Sequence, residues 1–528
     1  MSVSVEDGLA LLKRRLVEIN DLSSAGAILG WDQATYMPIG GAASRARQRA
    51  TLSRLAHQKA TDAELGCLLD TLHSQSQGIL EPDSSLVRIA RRDFEKASKV
   101  PAGFVERASS HQSRSYAAWT RAREENDFAA MVPYLTTSVE LSREYAEFFA
   151  PFEHVCDPLI DEADEGMTVA EIRRIFSELR PALIDMTREI DDQPRLDNSC
   201  LKGMFNEDQQ MAFGLLVVEK IGYDLARGRL DKTVHPFSTR FSSGDVRITT
   251  RVRTDEISEA FFSTLHEAGH ALYEQGVSEE LDGTSLGRGA SAGLHESQAR
   301  LWENIVGRSY PFWEYWYPVL QNKFPGSYAD VSLDGFYAAI NRVERSLIRT
   351  DADEVTYNLH IMMRFDLELE MLEGRLNVKD LPEAWRARMR EDLGIEPEAD
   401  REGCLQDVHW YAGHIGGAFQ GYTIGNVLGA QFYETALQAH PDIPHQLQRG
   451  DYSQLLDWLR TEVHQHGRRY QPNELFVRAT GKPLHVAPYL KYLCEKFDAL
   501  YSLPVSKDLS DLLVTVQSND SLPTTGGG

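Results

Sequence analysis

The chain has 528 residues, long enough to bury a sizeable core, and its 42% apolar and 25% charged content is that of a globular protein in water. With 79 acidic against 55 basic residues the net charge is -24. That excess argues against nucleic acid or an anionic membrane as a partner, because both attract basic surfaces.

The N-terminal MSVSVEDGLALLKRRL has no basic start followed by an apolar stretch, so no secretory signal is expected and the cytoplasm is the expected location. The five cysteines, Cys67, Cys156, Cys200, Cys404 and Cys494, form no CxxC pair, the pattern of free thiols in a reducing compartment. Apolar residues three and four apart in VEDGLALLKRRLVEINDLSS, from Val5, and in YAAWTRAREENDFAAMVPYLTTSVELSREYAEFF, from Tyr116, predict helices. No clear repeat and no Pro/Ser-rich linker interrupts the first 500 residues. One continuous, mainly helical body is therefore expected over residues 1–502.

A period of two replaces the helical spacing in HPFSTRFSSGDVRITTRV, from His235. Val246, Ile248 and Thr250 alternate with Arg247, Thr249 and Arg251, which predicts a hairpin turning at SSGD. An exposed edge there could pair with an extended peptide, and a purely structural ribbon is the alternative. Farther on, DGTSLGRGASAG lacks a Walker lysine and the dinucleotide glycine spacing, and reads as a flexible connection between helices. The charge-free VHWYAGHIGGAFQGYTIGNVLGAQFY, from Val408, is too polar for a membrane span and reads as interior or pocket wall. The last residues, 503–528, end in LPTTGGG and read as a tail, with a tag as one reading of its end.

Between the hairpin and the glycine-rich stretch lies LHEAGHALYEQG, residues 265 to 276. Residues four apart on a helix share a face, so His266 and His270 can turn both imidazoles toward one ion, with Glu267 beside them as a general base. Phe261, Phe262, Leu265 and Leu272 supply the apolar stripe, and Gly276 a helix stop. A third ligand follows 26 residues after His270: Glu296 opens LHESQARLWENIVGR, in which Leu301 and Ile305 face the core. Two histidines and one carboxylate meet the three-ligand count of a catalytic zinc site and leave a position open. Such an ion lowers the pKa of a bound water toward ~7. A structural zinc would want four ligands rich in cysteine, and no cysteine lies near His266.

Six motifs in order then make the sequence recognisable. They are HPF (His235, Pro236, Phe237), DVRIT (Asp245, Arg247 and Thr249 among its residues), HEAGH, HESQ (His295, Glu296, Ser297, Gln298), IRTDAD (from Ile348 to Asp353) and GCLQDVHW (with Gly403, Gln406, Asp407, His409 and Trp410). Together with WDQATYMPIGGAASRA, from Trp31, they resemble the carboxypeptidase Taq family of metallocarboxypeptidases, from about residue 5 to residue 502. One departure is Gln420, where the family usually has proline a few residues before Tyr422.

The resemblance implies a two-lobed helical metallopeptidase with a deep central groove and a small β hairpin or sheet beside the HExxH helix. It also implies a cytoplasmic homodimer with one Zn²⁺ per subunit, Co²⁺ or Mn²⁺ being possible substitutes. The implied activity is release of single residues from peptide C-termini with broad preference. Reading a free carboxylate calls for a cation, best a guanidinium. Arg349 is the candidate, with His409 assisting and Tyr422 as an oxyanion donor or a contact to the substrate backbone. The alternative for Arg349 is an ion pair with Asp351, Asp353 or Glu354, and for His409 and Tyr422 a structural hydrogen bond. Asp245 and Arg247 shape the strand edge without a chemical step. An endo-oligopeptidase would use the same zinc chemistry but lack a cation blocking the groove.

Overall fold

The apolar spacing of the first segment becomes a helix of 31 residues, Val5–Thr35, started by Ser4, whose hydroxyl accepts the Asp7 N–H at 3.1 Å. The second segment makes two helices, Ala102–Glu125 and Val132–Glu147, because Asn126 adopts the left-handed conformation (φ 57°) and ends the first. The computed structural model describes residues 4–75 and 78–503. The tail expected over residues 503–528 therefore lies, beyond Leu503, outside the described residues.

The fold is mainly α, as expected, with one three-stranded sheet among the described residues. No helix among them is long and apolar enough to cross a membrane. Leu12, Leu16, Leu65, Leu69, Leu86 and Val87 build a small N-terminal apolar cluster, closed by Val277, Leu281 and Leu286. Most of the remaining buried apolar side chains form one larger core.

The expected hairpin is present as β2 (Ser238–Ser242) and β3 (Asp245–Thr250), with a bulge between Arg240 and Ser242. Periodicity did not reveal β1 (Leu230–Lys232), which pairs parallel to β3 and makes the order β1-β3-β2. With a strand on either side, β3 is central, so any free edge belongs to β1 or β2. Val246 and Ile248 are fully buried. Arg247, on the opposite face, pairs with Asp245 at 2.7 Å and stacks on Trp31 with its guanidinium 4.6 Å from the ring centroid. DVRIT and the Trp31 segment are thereby one contact.

The HExxH helix runs Ser258–Gly276. Glu256 starts it, accepting the Ser258 and Glu259 N–H groups at 2.8 and 2.9 Å. Gly276 is its last residue, but the following Val277 is extended rather than left-handed. Gly276 is needed for room instead: a Cβ there would lie 2.6 Å from His464 Cβ.

Glu296 sits on the next helix, Ala292–Arg300, which runs into a π-helical turn at Leu301–Val306. Glycines grip this helix on two sides. A Cβ on Gly269 would meet the Ala299 Cα and the Gln298 carbonyl oxygen at 2.6 Å. On the far side the helix Gln420–Ala439 presents Gly425, whose Cβ would fall 2.6 Å from that of Glu296. The charge-free stretch thus is interior, as expected. Gln420 is the first residue of that helix, where proline's missing N–H is harmless, and its side-chain amide donates to the Gly417 carbonyl at 2.9 Å. The glycine-rich connection, expected to be flexible, is packed: a Cβ on Gly287 would lie 2.4 Å from the Leu281 carbonyl oxygen. The Leu286 carbonyl also accepts the Arg468 N–H at 3.0 Å.

Gly269→Ala tests the grip. Intrinsic helix propensity favours alanine by ~1 kcal/mol, whereas overpacking against backbone costs about 1–3 kcal/mol. A lower denaturation midpoint is expected, and a raised one would show that the helices separate freely.

Candidate metal centre

His266 and His270 stand one turn apart with their rings nearly perpendicular, at 86°, and centroids 4.9 Å apart. Glu296 Oε2 lies 3.8 Å from His266 Nε2 and 3.6 Å from His270 Nε2. The three donor atoms all fall within 4.8 Å of one another, and no other such His/Cys/Asp/Glu group occurs among the described residues. Tetrahedral zinc with ligand bonds of ~2.0–2.1 Å asks for donor separations of ~3.3 Å. The two Glu296–histidine separations fit after closing by a few tenths of an ångström, and two imidazoles with one carboxylate suit a borderline ion.

Each histidine is held from behind. His266 Nδ1–H donates to Glu303 Oε2 at 2.9 Å, which turns Nε2 toward Glu296. With His270 Nε2 facing the same way, its Nδ1–H donates to His295 Nδ1 at 2.7 Å, and His295 Nε2–H donates to Glu274 Oε1 at 2.7 Å. Arg300 joins the carboxylates, giving Nε–H to Glu296 Oε1 at 2.7 Å and Nη1–H to Glu303 Oε2 at 3.2 Å. Sequence reasoning passed over Glu274, Glu303 and Arg300. The signal was the helical spacing already in use: Glu274 is four after His270, and Glu303 is seven after Glu296.

Burial opposes charge on His266, but Glu296 and Glu303 outweigh it and raise the ring to about 9. His270 is pushed well below the ordinary range by burial and by the neighbouring His295 and His266. Burial pushes the Glu267 carboxyl up to about 7, with Glu296 and Glu303 adding to the shift.

The substrate-binding candidates form a second cluster. Arg349, buried, gives Nε–H and Nη2–H to Asp407 Oδ1 at 3.1 and 2.6 Å, and Nη1–H to the Tyr357 hydroxyl at 2.9 Å. Its partner is therefore Asp407, not the nearby Asp351, Asp353 or Glu354. Asp353 is engaged at the start of the helix Thr356–Glu373, accepting from the Thr356 hydroxyl at 2.7 Å. Glu354 pairs with Lys496 at 2.6 Å. Tyr422 and Phe419 flank the Arg349 guanidinium with centroids 5.4 and 5.6 Å away. His409 Nε2 lies 3.2 Å from the Tyr422 hydroxyl. Burial, together with Arg349 and Arg364, holds His409 down to about 4, so near neutrality it is a neutral hydrogen-bonding group rather than a second cation. Burial raises the Tyr422 hydroxyl, which stays a donor.

The remaining motif positions serve the framework. Gln406 accepts the Arg349 N–H at 2.9 Å, Trp410 donates to Glu368 at 2.7 Å, and Ser297 donates to the Leu294 carbonyl at 2.6 Å. Gln298 accepts from His464 Nε2–H at 2.8 Å. Thr249 Oγ1 accepts the Phe237 N–H at 2.9 Å, while His235 is exposed beside a half-buried Pro236. Ile348 is half-buried, and a Cβ on Gly403 would touch Pro397 and Trp385 at 3.4 and 3.5 Å. Tyr357 joins the two clusters: it takes the Arg349 hydrogen bond on its hydroxyl, and the Arg300 guanidinium lies 4.4 Å from its ring centroid.

The profile described as carboxypeptidase Taq (M32) metallopeptidase matches residues 11–497. Thermostable carboxypeptidase 1 of Thermus thermophilus is 41% identical over 492 residues, covering 91% of this chain and 96% of that protein. Carboxypeptidase 1 of Bacillus subtilis is 36% identical over 93% of this chain and 98% of its own length. The crystal structure of an M32 carboxypeptidase from Deinococcus radiodurans R1 superposes with a TM-score of 0.93 at 49% identity, covering 94% of this chain and 100% of that one.

A metal ligand must be deprotonated, so an ion entering the centre displaces the proton that His266 carries below about 9. At pH ~8, metal titration in weak buffer should release about one proton per ion, and affinity should rise with pH until His266 is neutral. Proton-free binding at that pH would show that His266 is already neutral before the ion enters.

Proposed function

The chain belongs to the carboxypeptidase Taq (M32) metallopeptidase family and is a metallocarboxypeptidase, and from that premise we propose that it uses one Zn²⁺ held by His266, His270 and Glu296. Co²⁺ or Mn²⁺ can take the same donors. The ion, when bound, polarises the scissile carbonyl and acidifies water at its open position. Glu267 is the general base: its carboxylate accepts a proton from water and passes it to the leaving amine. Arg349 binds the substrate's free carboxylate through the guanidinium N–H groups that Asp407 and Tyr357 leave unused. Neutral His409 and the Tyr422 hydroxyl assist it, Tyr422 as a donor to the developing oxyanion or to the substrate backbone. The observation that carries this reading is Tyr357, which touches Arg300 beside the ligands and Arg349 beside the carboxylate site. A terminal carboxylate and the bond one residue before it would then lie within one groove.

Release of single C-terminal residues with broad preference is the activity we propose for this arrangement. A cytoplasmic homodimer acting on peptides, with residues 1–502 as one catalytic body, completes the proposal.

Mass spectrometry of a mixed-sequence peptide, incubated with metal-free and then Zn²⁺- or Co²⁺-loaded protein, tests it. A ladder losing one C-terminal residue at a time is expected, dependent on metal and absent in Glu267→Ala. Internal fragments would instead indicate an endopeptidase. Arg349→Lys keeps the charge but loses the planar fork. A charge-assisted hydrogen bond is worth about 1.5–3 kcal/mol, so kcat/KM for free-carboxylate peptides should fall ~10- to 150-fold. Residual cleavage of amidated peptides should stay unchanged. An equal loss on both would place Arg349 outside carboxylate recognition.

A further inference from the structure

The two oxygens of Glu296 have different partners. Oε2 is the atom 3.6 and 3.8 Å from their Nε2 atoms, whereas Oε1 accepts Arg300 Nε–H at 2.7 Å. The same guanidinium donates Nη1–H at 3.2 Å to Glu303 Oε2, the oxygen that also accepts His266 Nδ1–H. Tyr357 packs against it, with the ring centroid 4.4 Å away. We propose that Arg300 is a positioning residue that restricts Glu296 to one-oxygen ligation and, through Glu303, fixes the His266 ring in the same act. This rests on the reading that His266, His270 and Glu296 hold the ion.

A carboxylate can bind an ion through one oxygen or both. Two-oxygen binding would occupy part of the open position that a catalytic centre needs. Here, turning Oε1 toward the ion breaks a charge-assisted hydrogen bond inside a buried site and leaves Arg300 with Glu303 alone, so the one-oxygen state is favoured. The task requires arginine. A guanidinium carries several N–H groups in one rigid plane and can span Glu296 and Glu303 together, while an ammonium is a single point. The spacing also suits it, since Glu296 and Glu303 lie four residues before and three after Arg300 on the same helical face.

The visible absorption of the Co²⁺-loaded protein reports coordination number independently of activity. Unsubstituted protein, Arg300→Met, Arg300→Lys and Glu296→Ala are compared. Both Arg300 variants should lose band intensity and shift to shorter wavelength as Glu296 closes onto the ion with its second oxygen, with Arg300→Lys intermediate. Should Arg300→Met fail to fold, the conservative Arg300→Lys decides. Unchanged cobalt spectra in the folded Arg300 variants overturn the positioning role while leaving the ligand set standing. Loss of Glu296 should weaken Co²⁺ binding by ~10-fold or more. Undiminished binding in Glu296→Ala would overturn the ligand reading itself, and the proposal with it.

Discussion

The separation between two helix backbones is the constraint on which the candidate centre depends. His266 and His270 come from one helix and Glu296 from the next, so their donor atoms meet only if those helices nearly touch. Gly269 permits this on one side, and Gly425 presses the Glu296 helix inward from the other. Neither glycine is there for an unusual backbone conformation, since both lie within regular helices. They are there because a methyl group would not fit, and close-packed interiors do not absorb such differences. Outer carboxylates then orient rings that the helices have already brought together.

Charge is managed differently in the two clusters. Around the histidines, Arg300 sits between Glu296 and Glu303, a positive group against two negative ones, in surroundings that can take an added cation. Around Arg349 the excess is positive. Asp407 lies between Arg349 and Arg364, both at 2.6 Å, and these arginines hold its carboxyl well below the usual range despite burial. Such buried pairs contribute little net stability, because desolvation offsets most of the attraction. Their effect is to fix a guanidinium whose free N–H groups keep one direction.

Some of this was legible in the sequence because helical spacing carries it. His266, His270, Glu267 and Glu296 follow from residues four apart and from an apolar stripe that tells which face is free. The same arithmetic, extended, reaches Glu274 and Glu303. What spacing could not reach is contact between distant segments. Arg349 and Asp407 are 58 residues apart with no periodic relation, and of the nearer acids that sequence offers as partners, Asp353 is committed to a helix start and Glu354 to Lys496. Strand β1 was invisible because three residues show no period. The π-helical turn after Arg300 has no sequence signature either. The glycine-rich connection misled because glycine marks both freedom and tight approach, and only neighbours distinguish them.

The far wall of the centre is built from the helix Gln420–Ala439, some 120 residues after the third candidate ligand. During synthesis, at ~5–20 residues per second, the N-terminal part of a chain emerges and begins to fold first. The two histidines and Glu296 are therefore outside the ribosome well before Gly425 and Asp407 exist to confine them. A nascent chain carries the candidate ligands without the enclosure and without the Arg349–Asp407 pair. The enclosure of the candidate centre is thus deferred until more than four-fifths of the chain has been made.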